Sequence, residues 1–155
     1  MVRANISYEE LKSQAEPLLK ELLVGGTVIG LNFTDLYLSV RNQSYEQIEQ
    51  LIQIHVGPHF AILRRKPRKW SLYRFHTFRS KEDLIKNLCE LQADLIADLS
   101  LLDTGDLVLK FRSGRIFYLS RKGLGNGAWM INTEDQEYFI VCQDGELAII
   151  ENLVR

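Results

Sequence analysis

Apolar positions in this chain fall into two periods. From Ser7 the pattern is helical. Ser7-Tyr8-Glu9-Glu10 has the form of a capping box, with a hydroxyl for an orphan amide and a glutamate three residues on. Tyr8, Leu11 and Ala15 then mark one helix face. Pro17 cannot continue that helix without kinking it, so it is expected in the first turn of a second short helix carrying Leu18, Leu19, Leu22 and Leu23. Gly25-Gly26 ends helical structure. The period then drops to two: Val28 to Phe33 and Leu36 to Arg41 alternate around a turn at Thr34-Asp35, which predicts a hairpin. Residues 44–56 fit a helix capped by Ser44 or a strand; the alternation of Ile52, Ile54 and Val56 favours a strand ending at Gly57-Pro58. Phe60–Leu63 reads as another short strand. Pro67 makes 66–69 a loop or exposed edge, and 70–78 alternate only in part.

The second half repeats the order. Leu84, Ile85, Leu88, Leu91 and Leu95 form an amphipathic stripe that starts at Ser80-Lys81-Glu82-Asp83. Asp103-Thr104-Gly105-Asp106 is a turn. Strands follow at Leu107–Phe111, Ile116–Leu119, Trp129–Ile131, Tyr138–Cys142 and Leu147–Ile150, with turns at Ser113-Gly114 and Asp144-Gly145. The expected fold is α+β: antiparallel hairpins with two helical segments, about 7–24 and 81–93, packed on the sheet. The two halves share an order of elements without a residue-level repeat. With 155 residues and no linker, one domain over 1–155 is expected.

Charge changes this picture. Residues 50–81 hold no Asp or Glu and eight Lys or Arg, while 1–49 and 82–155 are net acidic, so a net charge of −1 conceals strong segregation. Trp70, Tyr73, Phe75 and Phe78 interleave with the bases. Such a stretch suits phosphate contact with base stacking, docking on an acidic protein surface, or a solvated loop whose stems cover core edges. A pI near 6.3 weighs against a dedicated nucleic-acid binder. The expected contact residues are Arg64, Arg65, Arg68, Trp70, Tyr73 and Arg74.

Catalytic and metal signals are thin. His55 and His59 have zinc spacing for a helix, but Gly57-Pro58 lies between them. Gly123-Leu-Gly-Asn-Gly127 lacks the following helix and the Lys-Ser/Thr of a phosphate loop. No nucleophile elbow is present, and His76 in the basic stretch has only Arg74 to recommend it as a nuclease-like centre. No enzyme, metal or cofactor is expected. Cys89 and Cys142 read as reduced, buried thiols. The absence of an apolar leader or an apolar run of membrane-spanning length points to the cytosol and away from a membrane partner.

The runs Gly105-Asp-Leu-Val-Leu-Lys-Phe-Arg-Ser-Gly-Arg-Ile-Phe, Gly127-Ala-Trp-Met-Ile and Asp144-Gly-Glu-Leu-Ala-Ile-Ile, with Gly26-Thr-Val-Ile-Gly-Leu-Asn-Phe and Leu36-Tyr-Leu-Ser-Val before them, resemble a pattern in small bacterial β-rich proteins, some of which are immunity proteins of toxin systems. The usual glutamate before the Trp is replaced by Asn126-Gly127-Ala128. The resemblance is structural and carries over no binding residue. It implies a non-enzymatic protein that binds and occludes a toxin; the rival is an RNA- or DNA-binding module that uses 64–79.

Overall fold

The computed structural model describes residues 7–42, 51–57, 60–64, 81–121, 129–134, 138–143 and 146–151. In chain order they form α1 (Tyr8–Leu23), β1 (Thr27–Asn32), β2 (Tyr37–Arg41), β3 (Ile52–Val56), β4 (Phe60–Leu63), α2 (Lys81–Cys89), β5 (Ile96–Leu101), β6 (Leu107–Phe111), β7 (Ile116–Leu119), β8 (Trp129–Thr133), β9 (Tyr138–Gln143) and β10 (Glu146–Glu151). All strand pairs are antiparallel. One sheet runs β1-β2-β3-β8-β9-β10 and the other β4-β7-β6-β5. The α+β class and the hairpins expected from the alternation are present.

Each half supplies a three-stranded meander, β1-β2-β3 or β5-β6-β7. Its fourth strand then crosses over: β4 pairs with β7, and β8 with β3. The inner faces of both sheets share one core, which includes Val28, Leu38, Ile54, Leu99, Leu109, Phe117, Trp129 and Ile131. The indole of Trp129 donates to Gly105 O at 3.0 Å, so the only polar atom of a fully buried ring is satisfied. Four further apolar side chains, Ala61, Val108, Ile116 and Tyr118, are buried on the opposite face of the four-stranded sheet.

Helix α1 differs from expectation. It is a single helix with Pro17 inside it. A proline removes one backbone bond and crowds the preceding turn, but Ala15, Leu19, Leu22 and Leu23 are fully buried on either side of it and hold the two turns in line. Ser7 Oγ accepts from Glu10 N at 3.3 Å, half of the expected box. A polar stripe at i, i+4 and i+8 clamps the helix to the β5–β6 turn. Tyr8 OH donates to Leu102 O (2.9 Å), Lys12 pairs with Asp103 (2.6 Å), and Leu101 N donates to Glu16 Oε2 (3.0 Å). Burial, with the nearby acidic groups and Cys142 adding to it, pushes the Tyr8 hydroxyl up to about 12, so it stays a donor.

Helix α2 stops at Cys89, short of the expected 93, because residues 90–93 form a turn and Ala93 takes the left-handed conformation (φ 65). Leu88 and Leu91 are buried as expected, whereas Cys89 is exposed. It lies one residue beyond Leu88, about 100° around the helix and off the apolar stripe. Cys142 is buried, and the two thiols are not joined in a disulfide. The expected turn at Asp144-Gly145, the glycine-rich loop 123–127, the stretch 70–78 and residues 44–50 of the ambiguous stretch 44–56 lie outside the described residues; the rest of that stretch holds the favoured strand, β3. Among those described, no helix is long and apolar enough to cross a membrane.

The sheets meet where β1 and β5 begin, and close packing there needs glycine. A Cβ on Gly26 would lie 2.5 Å from Val40 Cγ1 and 2.9 Å from Leu23 O. Gly25 takes φ 89, which costs glycine little; Ala93 takes φ 65, which costs an L-residue about 1–2 kcal/mol. Ala93→Gly is therefore expected to raise stability by about 0.5–1 kcal/mol after the added chain entropy of glycine is subtracted, measured by denaturant unfolding. A loss of stability would show that Ala93 is not strained.

Candidate functional site

The outward face of the six-stranded sheet follows from period two and register. Side chains that alternate with the core positions form two rows across all six strands. One row is Gly30, Ser39, Gln53, Asn132, Phe139 and Ile150; the other is Asn32, Tyr37, His55, Met130, Val141 and Ala148. Ile150 is exposed and the rest are partly exposed. Neither row contains a charged residue. Arg41 and Glu134 lie beyond one end of the rows, and Asp35 and Glu146 beyond the other; all four are exposed. The strands over β1–β3 present amides, hydroxyls and an imidazole, and those over β9–β10 present hydrocarbon and an aromatic ring.

The polar part is cross-linked. Asn32 Nδ2 donates to Tyr37 OH at 3.3 Å, and Asn132 Nδ2 reaches Gln53 Oε1 at 3.5 Å and Thr133 O at 3.3 Å. The Tyr37 and His55 rings are tilted against each other with centroids 5.3 Å apart. Burial lowers the proton affinity of His55 below the usual value. Asn132 and Asp35 act in the opposite sense. Asn132 Oδ1 is buried and makes no hydrogen bond of standard geometry. The face is thus a neutral hydrogen-bonding surface at neutral pH.

The other sheet is built differently at the corresponding places. Where β3 carries Gln53 and His55, β7 carries Ile116 and Tyr118, and both are buried. Tyr118 OH donates to Asp106 Oδ2, which also accepts from Thr104 Oγ1 at 2.7 Å, while Asp106 Oδ1 accepts from Arg121 N at 2.6 Å. Burial first, then the Asp106 carboxylate, raises the Tyr118 hydroxyl far above its ordinary range. This cluster closes the 102–106 turn onto the end of β7. Its carboxylate is fully used in that role.

Of the residues expected to make contacts, Arg64 is exposed just after β4, at the edge of the four-stranded sheet. Arg65, Arg68, Trp70, Tyr73 and Arg74 lie outside the described residues, as do His59 and His76. His55 is on a strand, so the helical zinc spacing does not apply to it. Among the described residues no three His, Cys, Asp or Glu side chains are grouped to hold a metal. The uncharged face was missed in the sequence because its signal is a property of three separated segments. Each alternates polar and apolar residues as any half-buried strand does, and only the order β3-β8-β9 brings them together.

No family model matches this chain. No curated protein and no solved structure gives a significant match either.

The depressed proton affinity of His55 makes stability depend on pH. The unfolded chain takes up the proton near pH 6.5 and the folded one at lower pH. The stabilising difference is therefore complete above pH 6.5 and is lost as pH falls from there towards the folded value. Thermal unfolding is expected to show a drop in midpoint from pH 7.5 to 5.5 that is smaller in His55→Gln. Equal drops in the two proteins would contradict a neutral, partly desolvated His55.

Proposed function

We propose that this chain is a non-enzymatic binding protein that holds a protein partner on the outward face of its six-stranded sheet. In its most concrete form it is an immunity protein of the bacterial cytosol that neutralises a toxin by covering its active site. The observation that supports this reading is the charge pattern of the face: two uncharged rows containing Tyr37, Met130 and Phe139, with Asp35, Arg41, Glu134 and Glu146 beyond their ends. Protein interfaces have that anatomy, with charge depleted at the centre and aromatic and methionine side chains enriched. A nucleic-acid surface needs cations facing the phosphates, and these rows supply none. The basic segment 64–81 and the acidic flanks would act on encounter, steering a charged partner towards the face.

Gln53→Lys separates the two classes of partner. It places one cation mid-sheet, where a docked protein would desolvate it without a counter-charge. With the toxin encoded beside this gene as the partner, the wild-type protein should restore growth of cells that express the toxin. Gln53→Lys should bind it at least about tenfold more weakly while circular dichroism stays unchanged. Absence of any toxic neighbour, or full rescue by Gln53→Lys, would contradict the reading. Retardation of RNA or DNA that strengthens in Gln53→Lys would establish the nucleic-acid alternative instead.

A further inference from the structure

The two halves correspond in more than element order. Adding 68 to positions in β1 and 71 to positions in β2 turns the pairs Val28↔Val40, Gly30↔Ser39 and Leu31↔Leu38 into Ile96↔Phe111, Asp98↔Lys110 and Leu99↔Leu109, which are the pairs of β5 with β6. The register shift in β1 lies between Val28 and Gly30, and that in β5 between Ile96 and Asp98. An increment of 63 carries β3 onto β7, so that Leu38↔Ile54 becomes Leu109↔Phe117. An increment of 69 carries β4 onto β8, so that Phe60 on Leu119 corresponds to Trp129 on Val56.

The seam between the halves obeys the same relation. Thr27 bridges Leu95, its own counterpart. Val28 N donates to Asp94 O (3.1 Å), and the counterpart bond, Ile96 N to Gly26 O, is present at 2.8 Å. Gly25 N donates to Ile96 O (2.8 Å), and its counterpart, Ala93 N to Val28 O, is also 2.8 Å. The turn bond Gly26 N to Leu23 O (2.9 Å) has its counterpart in Asp94 N to Leu91 O (3.1 Å). The two left-handed residues of the seam, Gly25 and Ala93, are counterparts as well. Bonds that exchange donor and acceptor in this way are those of an isologous, two-fold contact. β9 and β10 lie outside the correspondence and extend one sheet only.

We infer that this chain is a fused, strand-exchanged dimer of one repeated unit, with a pseudo-two-fold axis between Thr27 and Leu95. Each half, 7–64 or 81–133, donates its fourth strand to the sheet of the other, so neither half is a domain. This does not depend on what the protein binds. It accounts for the unlike outward faces: two equivalent surfaces that diverged, one with Ile116 and Tyr118 buried and the other with Gln53 and His55 partly exposed.

The test cuts the full chain after it has folded. A protease site inserted between Lys69 and Trp70 allows cleavage between the halves. The cut protein is expected to elute as one species at micromolar concentration. It should melt in a single transition below that of the uncut chain, and that transition should rise with protein concentration, because unfolding has become dissociation. Phe60→Ala, in the exchanged strand β4, should weaken the association of the cut halves by at least about tenfold. Fragments that separate, a melt in two steps, or a midpoint insensitive to dilution would overturn the inference.

Discussion

The structure depends on a short antiparallel seam where β1 and β5 begin. Among the described residues, four backbone hydrogen bonds between Gly25–Val28 and Ala93–Ile96 join the two sheets, beside packed side chains and exchanged strands. Each bond alone is worth about 1 kcal/mol. Their importance is geometric: they fix where each helix ends and at what angle each hairpin leaves. Gly26, with no room for a Cβ, lets the helix end and Val40 approach that closely. On the other side Ser113 donates to Asp94 through its hydroxyl, and through its amide at 3.4 Å, which ties the β6–β7 turn to the same point. Asn42 plays the comparable part near α1, where its Nδ2 donates to Leu22 O at 2.9 Å and Val24 O at 3.1 Å.

From this seam the rest of the molecule follows. Two meanders start side by side and run apart, and each fourth strand returns to the other's sheet. That return places Phe60 edge-on to Phe117, with ring centroids 5.7 Å apart, and Trp129 over the β5–β6 turn through Gly105. The core is thus made jointly by the two halves, and the outward faces are left to diverge. One carries buried Ile116 and Tyr118, with Asp98 and Lys110 on the neighbouring strands. The other kept amides, an imidazole and a tyrosine in two uncharged rows, which is the surface the proposed binding role uses.

Most strands were legible because alternation in this chain is regular and its turns carry Gly, Asp and Asn. Leu107, Leu109 and Phe111 face one core, and Gly105 and Gly114 take the positive φ their turns need. Pro17 misled because a local rule against proline was outweighed by buried side chains on both sides of it. Cys89 misled because an apolar helix does not bury every small residue it carries. The crossing of β4 and β8 could not be read at all: pairing partners far apart in sequence leave no mark on either strand. The candidate face was hidden for the same reason, since Gln53, Asn132 and Phe139 become neighbours only through that crossing. The charge segregation was plain in the sequence, but of its expected contact residues only Arg64 falls in a described part of the fold.

Native-state hydrogen exchange at the seam tests the central claim most directly. If the two halves form one cooperative body, the amides of Gly25, Val28, Ala93 and Ile96 exchange only through global unfolding. All four then report the same opening free energy, equal to that from denaturant unfolding. Exchange of Val28 and Ile96 at a free energy several kcal/mol below the global value would show that the halves part while each remains folded, and would contradict the account.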